Sequence, residues 1–407
     1  MKVVWLSASL LGLMAGGAWA EDVTAWRLFV ADHSQPVVRA IDALDGAVID
    51  TFAISGPATL YRSESGAGVY AVLTGDNVVT AIASGIAFHD HGDHADIDID
   101  APRLTGALFE GEYPVHLVEH GGHWAAFFDK EGVARVFEEH EALDGNNESV
   151  VVKTGAPHHG VAMPYGDYTL ISVPHPTDNT QLPVGIDVID ASGAKAGETA
   201  DCPDLHGEAS SGSITAFACG TGLLIVHAHA GVPEIKHVAY ADALPDGRAT
   251  TLTGGVGLQY FLGNYGASAV VIIDPGADEP FRLVELPTRR VHFAVDPIRA
   301  QFAYIFTEDG RLHQLDVIEG TIVKSVALTR PYSMDGSWAD PRPRIAVARD
   351  KVIVTDPLAG RLIVVDAVSL AKTGEIAVEG TPFNLVAVGG TGTAHDHDNE
   401  NGAHDHE

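Results

Sequence analysis

Short apolar runs separated by turn residues make up most of the chain. Residues 290–328 contain the runs RVHFAVD, QFAYIFT, RLHQLDV and TIVKSVAL, with an Asp-Gly and a Glu-Gly turn between them. Four runs rich in β-branched residues within about 40 positions match the size of one blade of a β-propeller. The next runs, PRIAVAR, KVIVTD, RLIVVDA and GEIAVEG, repeat the pattern, and no long amphipathic helix stands out. The pattern therefore predicts an all-β propeller.

The two ends of the chain supply parts of one blade. Residues 25–54 hold only three strand-like runs, and the run TPFNLVAVGG at 381–390 offers the missing first strand. Pairing these ends would close the ring and remove exposed sheet edges. With this composite blade the chain has eight blades, although the irregular stretch 227–273 also allows a count of seven. Earlier copies begin near Ala58, Tyr113, Pro157 and Leu205, with a less regular one at 249–287.

The charge balance narrows the range of partners. The chain has 24 Lys and Arg against 55 Asp and Glu, a formal net charge of −31, together with 21 His. This excess of acid disfavours nucleic acid and anionic membrane surfaces, whereas it favours cations. With 46% hydrophobic residues the chain can bury a sizeable core.

The N-terminus has the pattern of a cleavable signal peptide. Lys2 precedes an apolar stretch at 3–14, which is too short to span a membrane, and Ala18-Trp19-Ala20 offers a cleavage site. We therefore expect a signal peptide at 1–20, export to a Gram-negative periplasm and one propeller domain at 21–390. No later segment is long and apolar enough for membrane insertion. The monomer is the default expectation, because no dimerisation helix is evident.

A His- and Asp-rich insertion interrupts the second blade at 86–102. His89, His91 and His94 lie there beside Asp90 and Asp93. Imidazole binds zinc, copper and nickel, and three or four donors complete a tetrahedral zinc shell. We expect a flexible loop that wraps one ion, with the carboxylates completing the shell. The alternative is a solvated acidic loop with incidental histidines.

Three further histidines share one register of neighbouring blades. His116, His159 and His206 are 43 and 47 residues apart, and each lies at the start of a first strand. First strands line the channel of a propeller, so these side chains should converge near the axis, with Glu208 on the same side. Asn384 and His292 occupy the equivalent position in other blades. The alternative is that such histidines only bind ordered water.

Cys202 and Cys219 are the only cysteines. An even pair in an exported protein predicts one disulfide, and a cysteine zinc site is the rival.

Other histidines are weaker candidates. The tail 391–407, expected to be disordered, could scavenge metal weakly or be passive. The histidines of its two His-Asp-His units are His395, His397, His404 and His406. Two further histidine pairs lie within blades, His120 with His123 and His227 with His229.

Common enzyme motifs are missing. We find no Gly-x-Ser-x-Gly elbow, no Walker loop and no His-Glu-x-x-His helix. The prediction is therefore a protein that is not an enzyme. A metal-dependent hydrolase or lactonase and a metal-independent interaction propeller remain as alternatives, because propellers host many functions.

The segments HDHGDHADIDID and CPDLHGEASSGSITAFACGTG, in an exported propeller, resemble the AztD-type periplasmic zinc metallochaperones. The resemblance covers essentially the whole mature chain. It implies a protein that binds Zn²⁺ and passes it by direct contact to the periplasmic solute-binding protein of a zinc ABC transporter. It also implies loop ligands His89, His91 and His94 with an Asp, and an interior site that includes His206. The His-rich tail is not part of the resemblance.

Overall fold

The computed structural model describes residues 22–92, 94–229 and 231–394. Within these ranges the chain forms 34 strands, one short helix α1 (Glu139–Leu143) and two 3-10 turns (Thr74–Asp76 and Pro357–Ala359). The predicted signal peptide, Asp93 and the tail from residue 395 onward lie outside the described residues. No helix in the described part is long and apolar enough to cross a bilayer.

The first half of the chain contains 17 strands in order. They are β1 (Asp22–Asp32), β2 (Val37–Asp42), β3 (Val48–Ala53), β4 (Thr59–Arg62), β5 (Gly68–Leu73), β6 (Val78–Ala83), β7 (Ile86–Asp90), β8 (Ala95–Ile99), β9 (Arg103–Glu110), β10 (Pro114–His120), β11 (His123–Phe128), β12 (Val133–Glu138), β13 (Val150–Lys153), β14 (Ala162–Tyr165), β15 (Tyr168–Val173), β16 (Gly185–Asp190) and β17 (Ala200–Asp201).

The second half contains the other 17. They are β18 (Glu208–Ser211), β19 (Ile214–Cys219), β20 (Gly222–His229), β21 (Val232–Ala239), β22 (Leu252–Thr253), β23 (Phe261–Asn264), β24 (Ala269–Ile273), β25 (Phe281–Glu285), β26 (Arg290–Val295), β27 (Phe302–Thr307), β28 (Arg311–Asp316), β29 (Thr321–Ala327), β30 (Ile345–Ala348), β31 (Lys351–Asp356), β32 (Arg361–Asp366), β33 (Lys372–Ala377) and β34 (Pro382–Ala394).

These strands form eight antiparallel blades. Seven blades are four-stranded sheets, β4-β5-β6-β9 and then six sets of four consecutive strands from β10 to β33. The eighth is the composite sheet β3-β2-β1-β34, which we call blade 1, so that β4 opens blade 2 and β30 opens blade 8. The predicted count of eight is therefore confirmed. The irregular stretch 227–273 divides between blades 5 and 6.

Pairing of the two chain ends closes the ring, as the sequence predicts. β1 runs antiparallel to β34, with Leu28 opposite Ala387 and Trp26 opposite Gly389. First strands of neighbouring blades contact one another, as expected of strands that line a common axis. We call the end of the channel where first strands begin the upper mouth, and the end where they finish the lower mouth.

Buried side chains fill the space between adjacent blades. Leu28 and Leu385 of blade 1 pack with Ile353 of blade 8, and Tyr70 of blade 2 lies 4.3 Å from Trp124 of blade 3 between ring centroids. Each large apolar side chain fully removed from water contributes roughly 1.5–3 kcal/mol. The core is thus a ring of interfaces, which holds every first strand at a fixed place around the channel.

The insertion 86–102 differs from the loop that we expect from its composition. Residues 86–90 and 95–99 form the hairpin β7-β8, which extends the sheet of blade 1 through a short parallel pairing of β8 with β34. Ile86 and Ile97 are buried, and Phe88 packs where a Cβ on Gly390 would lie 2.7 Å from its ring. Apolar residues at alternate positions therefore anchor a segment whose overall composition suggests a loop. Because it leaves the end of β6 and meets the end of β34, the hairpin lies at the lower mouth.

Substitution of Gly389 tests how much the pairing of β1 with β34 contributes to stability. Its φ is +141°, and a Cβ there would lie 2.1 Å from the Ala25 carbonyl oxygen. We expect Gly389→Ala to lower the free energy of unfolding by about 2 kcal/mol or more in urea melts. Gly374→Ala, where a Cβ meets no atom within 4 Å, is the matched control. Equal stability of the two variants would contradict the role of this pairing.

Candidate metal centre

Three imidazoles from neighbouring blades meet at the upper mouth. His116 is in β10 of blade 3, while His159 and His206 lie just before the first strands of blades 4 and 5. Their ring centroids are 5.0 Å apart for His116 and His159, 5.2 Å for His159 and His206, and 5.9 Å for His116 and His206. The structure therefore brings together the three imidazoles whose shared position in neighbouring blades predicts that they converge.

In each of the three rings, Nδ1 is the outer nitrogen, and it forms a hydrogen bond with an acceptor. Nδ1 of His159 lies 2.7 Å from Asp129 Oδ2, and Nδ1 of His206 lies 2.8 Å from the Thr250 carbonyl oxygen. Both partners accept the hydrogen bond, so in the neutral ring Nδ1 carries the proton and Nε2 keeps its lone pair. Zinc-binding histidines typically have such an outer acceptor, which fixes the tautomer and the ring orientation.

His116 has the same arrangement. Its Nδ1 donates to Glu208 Oε1 at 3.0 Å, and its Nε2 lies 3.4 Å from Nε2 of His159. Two nitrogens at 2.0–2.1 Å from a tetrahedral zinc ion are themselves about 3.3 Å apart. The spacing of these two nitrogens therefore suits a pair of zinc ligands. Glu208 contacts the outer edge of the His116 ring, so in this arrangement it orients a histidine.

The electrostatics of this centre favour a cation. Glu208 Oε2 and Asp129 Oδ1 are buried and lack a hydrogen-bond partner among the described residues. Burial opposes ionisation of Glu208, yet the three nearby imidazoles outweigh it and keep the pKa of the carboxyl below its usual value. Buried carboxylate oxygens without partners are costly, and a bound cation would offset that cost.

The same charges act on the rings. Burial and the nearby His116 and His159 lower the pKa of His206, which favours the neutral form that binds metal. Burial also disfavours the charged form of His116, but Glu208 and Asp129 outweigh it and raise the pKa of His116. The centre thus combines buried negative charge with nitrogen donors.

A disulfide holds the segment that carries His206. Cys202 and Cys219 are bonded with Cα atoms 5.0 Å apart, which confirms the predicted disulfide and replaces the rival cysteine zinc site. The His206 amide donates to the Ala218 carbonyl at 3.0 Å, next to this bond. Gly207 has φ +100°, and a Cβ there would lie 2.8 Å from the Thr250 backbone. The segment is therefore fixed from both sides.

The equivalent residues of other blades do not join the three rings. Asn384 donates to the Ala58 carbonyl, and His292 Nδ1 accepts the Ile345 amide hydrogen at 3.1 Å. Burial, Arg344 and Arg290 hold the pKa of His292 far below its usual value. Their shared register places these residues around the channel, but each is engaged by its own neighbours.

The hairpin brings together a second set of donors. One ligand atom each from His91, His94 and Asp96 lies within 4.8 Å of the others. Asp96 Oδ2 is 3.3 Å from His91 Nε2, and Asp96 Oδ1 is 3.7 Å from His94 Nε2. The two imidazoles are half exposed, at 48% and 51%, so this set is open to solvent.

The carboxylates of the hairpin differ from those that we expect as ligands. Asp90 Oδ1 accepts the Gly92 amide hydrogen at 2.7 Å and stabilises the turn, and Asp93 lies outside the described residues. Asp96 and Asp98 contact the histidines instead, with Asp98 Oδ2 2.9 Å from His89 Nε2. Cross-strand pairing places His89 opposite Asp96, which composition alone does not reveal.

The remaining histidine pairs have ordinary surroundings. His120 stacks on Tyr165 at 4.7 Å, and His123 lies 3.9 Å from a carboxylate oxygen of Glu138. His227 and His229 are exposed at the end of β20.

Comparison with known proteins places the chain in a family. No family model matches the chain. The zinc chaperone AztD of Citrobacter koseri is 54% identical over 403 residues, which cover 99% of this chain and 96% of the relative. The chain belongs to the AztD family of zinc chaperones. This family is one of carriers rather than enzymes, in agreement with the missing enzyme motifs.

Solved structures of AztD share the fold closely. A crystal structure of Citrobacter koseri AztD has a TM-score of 0.90 and 55% identity, covering 92% of this chain and 100% of that chain. The apo form gives a TM-score of 0.87 and 54% identity, covering 90% and 99%. The dihydro-heme d1 dehydrogenase NirN, at 12% identity and a TM-score of 0.58 over 88% of this chain and 74% of that one, shares the fold alone.

Substitution of His159 tests the interior donors. In a His91→Asn/His94→Asn background, we expect His159→Asn to weaken zinc binding by about 100-fold, because a nitrogen donor is lost. Competition with a chromophoric chelator measures the affinity. His237→Asn, an exposed histidine next to Thr221, is the control and should change little. Unchanged affinity in His159→Asn would exclude this ring as a ligand.

Removal of the disulfide tests the support of His206. We expect Cys202→Ser/Cys219→Ser to lose about 3 kcal/mol of stability in urea melts, since the bond closes a loop with a sequence separation of 17. Zinc binding, measured in the same His91→Asn/His94→Asn background, should also weaken, because His206 loses its fixed position. Lower stability with full zinc affinity would show that the disulfide does not position the ligand.

Proposed function

We propose that the protein carries zinc in the periplasm and passes it to the solute-binding protein of a zinc ABC transporter. The observation that carries this proposal is the convergence of His116, His159 and His206, each with an outer acceptor on Nδ1. Membership of the AztD family supports zinc as the cargo, and the acidic surface suits a divalent cation.

The interior centre is the proposed store. Three Nε2 atoms bind the ion, while Asp129, Glu208 and the Thr250 carbonyl orient the rings from outside. Because these outer contacts already fix the donors, little ordering entropy is lost when zinc binds, and binding should be tight. Side-chain exposure is 17% for His116 and 37% for His159, less than the 48% and 51% of His91 and His94 on the hairpin, so the interior centre is the less exposed of the two.

The hairpin is the proposed donor site. His89, His91 and His94 reach solvent on a two-stranded extension, with Asp96 and Asp98 beside them. An acceptor protein can therefore replace the hairpin ligands one at a time. A site that must release its ion benefits from this exposure.

The two sets lie at opposite mouths of the channel. The interior donors are at the upper mouth, where first strands begin, and the hairpin is at the lower mouth, where β34 finishes. We infer that they bind separate ions, so that a stored ion and a transferable ion can coexist.

We propose that the mature protein is exported to the periplasm. Residues 1–20 act as the signal peptide, and the single propeller domain, with the His/Asp-rich insertion at 86–102, begins at 21. The domain does not end at 390 as the sequence predicts, because residues 391–394 still belong to β34 and pair with β1 and β8, so the His-rich tail begins after Ala394. The support for export is the apolar stretch and small-residue cleavage pattern before Glu21, together with the disulfide, which an oxidising compartment permits. We propose a monomer as the working state.

A transfer assay tests the donor role. Zinc-loaded protein is mixed with an apo solute-binding protein of a zinc ABC transporter, and zinc in the acceptor is followed over time. We expect His89→Asn/His91→Asn/His94→Asn to slow transfer by at least about tenfold, the scale of losing key metal contacts. His159→Asn should leave the rate from the hairpin unchanged. Unchanged transfer in the triple variant would contradict the donor role of the hairpin.

A further inference from the structure

Two histidines that the proposed function leaves unused face each other across a tight turn. Taken singly their contacts are ordinary, but His120 ends β10, His123 begins β11, and the two are directly paired in the antiparallel register. Gly121 and Gly122 between them have φ of +61° and +76°, both positive as in a type I′ hairpin turn. Directly paired residues point to the same face of a sheet, with Cβ atoms about 4.5–5.5 Å apart. The two imidazoles therefore lie side by side at the lower end of blade 3.

The same register adds a carboxylate to this row. Glu138, at the end of β12, is the partner of His123, and its Oε1 lies 3.9 Å from His123 Nε2. Its Oε2 lies 3.2 Å from Nδ1 of His140 in α1, and Nε2 of that ring lies 3.2 Å from Glu141 Oε1. Ligand atoms at 2.0–2.2 Å from a tetrahedral zinc ion are about 3.3–3.6 Å apart. Both contacts of Glu138 are therefore within a few tenths of an ångström of the spacing of zinc ligands.

The tautomer of His123 leaves a lone pair that faces this carboxylate. Its Nδ1 lies 3.1 Å from the Gly121 carbonyl oxygen, which accepts the hydrogen bond, so in the neutral ring Nδ1 carries the proton. Nε2 is then an acceptor, and Glu138 Oε1, which it faces, is an acceptor as well. Two acceptors cannot bond to each other, whereas a metal cation between them is bound by both.

The surroundings hold the row in place and leave it open to solvent. The His120 ring stacks on Tyr165 of blade 4, and no residue in the described ranges forms a hydrogen bond with its nitrogens. The Glu139 amide donates to the Gly122 carbonyl oxygen at 2.9 Å, which ties the turn to the start of α1. The side chain of His123 is about half exposed, so an ion can reach it from water.

We propose that this row forms a third metal site, for Zn²⁺ or another divalent transition-metal ion, with the ligands His120, His123, Glu138 and His140. Imidazole binds zinc, copper and nickel, and three imidazoles with one carboxylate complete a tetrahedral shell. The site is separate from the interior centre at the upper mouth and from the hairpin, which extends the sheet of blade 1. It goes beyond the proposed function, because neither the store nor the donor site uses these residues.

Two matched double variants test the site in a His91→Asn/His94→Asn/His159→Asn background, which weakens the other two sites. We expect His120→Asn/His123→Asn to lower the remaining zinc affinity by about tenfold or more, measured by competition with a chromophoric chelator. His227→Asn/His229→Asn also removes two imidazoles, which are exposed at the end of β20, and should have little effect. Equal loss from both variants, or no loss from the first, overturns the proposal.

Substitution of the carboxylate separates a four-ligand site from a pair of adjacent histidines. In the same background, Glu138→Gln keeps the shape of the side chain and removes its charge, and we expect it to lower zinc affinity by about tenfold. Glu148→Gln, at an exposed glutamate beyond α1, is the control. Urea melts of both variants should coincide with the parent, because both side chains are exposed, so a lower affinity reports loss of a ligand. Equal zinc affinity of the two variants would exclude Glu138 and overturn the site.

Discussion

The pairing of β1 with β34 is the constraint on which the metal chemistry depends. It closes eight blades into a ring, so that first strands from distant parts of the chain surround one axis. His116, His159 and His206, which are 43 and 47 residues apart in sequence, come from three consecutive blades of this ring. The same strand β34 continues past the blade and pairs with β8, so closure of the ring also seats the hairpin.

Charge gives the two sites different physical characters. Inside the channel, Asp129 and Glu208 each use one oxygen to orient an imidazole, and each keeps a second buried oxygen without a partner among the described residues. Such buried charge favours a bound cation and makes an empty site less stable. On the hairpin, His91 and His94 are about half exposed, so water competes for the ion there. A partly buried site and a more exposed site in one chain suit storage and release.

The sequence predicts those features of the structure that repeat from blade to blade along the chain. Blade repeats of four runs predict the eight blades, and the constant position of His116 and its counterparts predicts their convergence. The disulfide follows from the number of cysteines and the signal-peptide pattern. The hairpin is missed, because its Asp-rich composition hides the alternation of Ile86, Phe88 and Ile97 that packs it onto the sheet. Asp129 and the Thr250 carbonyl are missed because they approach their histidines from segments with no local signal.

Anomalous diffraction at the zinc edge, from crystals of the zinc-loaded protein, tests the central claim most directly. The account predicts one peak at the upper mouth within about 2.0–2.1 Å of the Nε2 atoms of His116, His159 and His206. It predicts a second, separate peak among His91, His94 and Asp96 at the lower mouth. Absence of a peak between the three interior rings in fully loaded protein would contradict the account, whatever the occupancy of the hairpin.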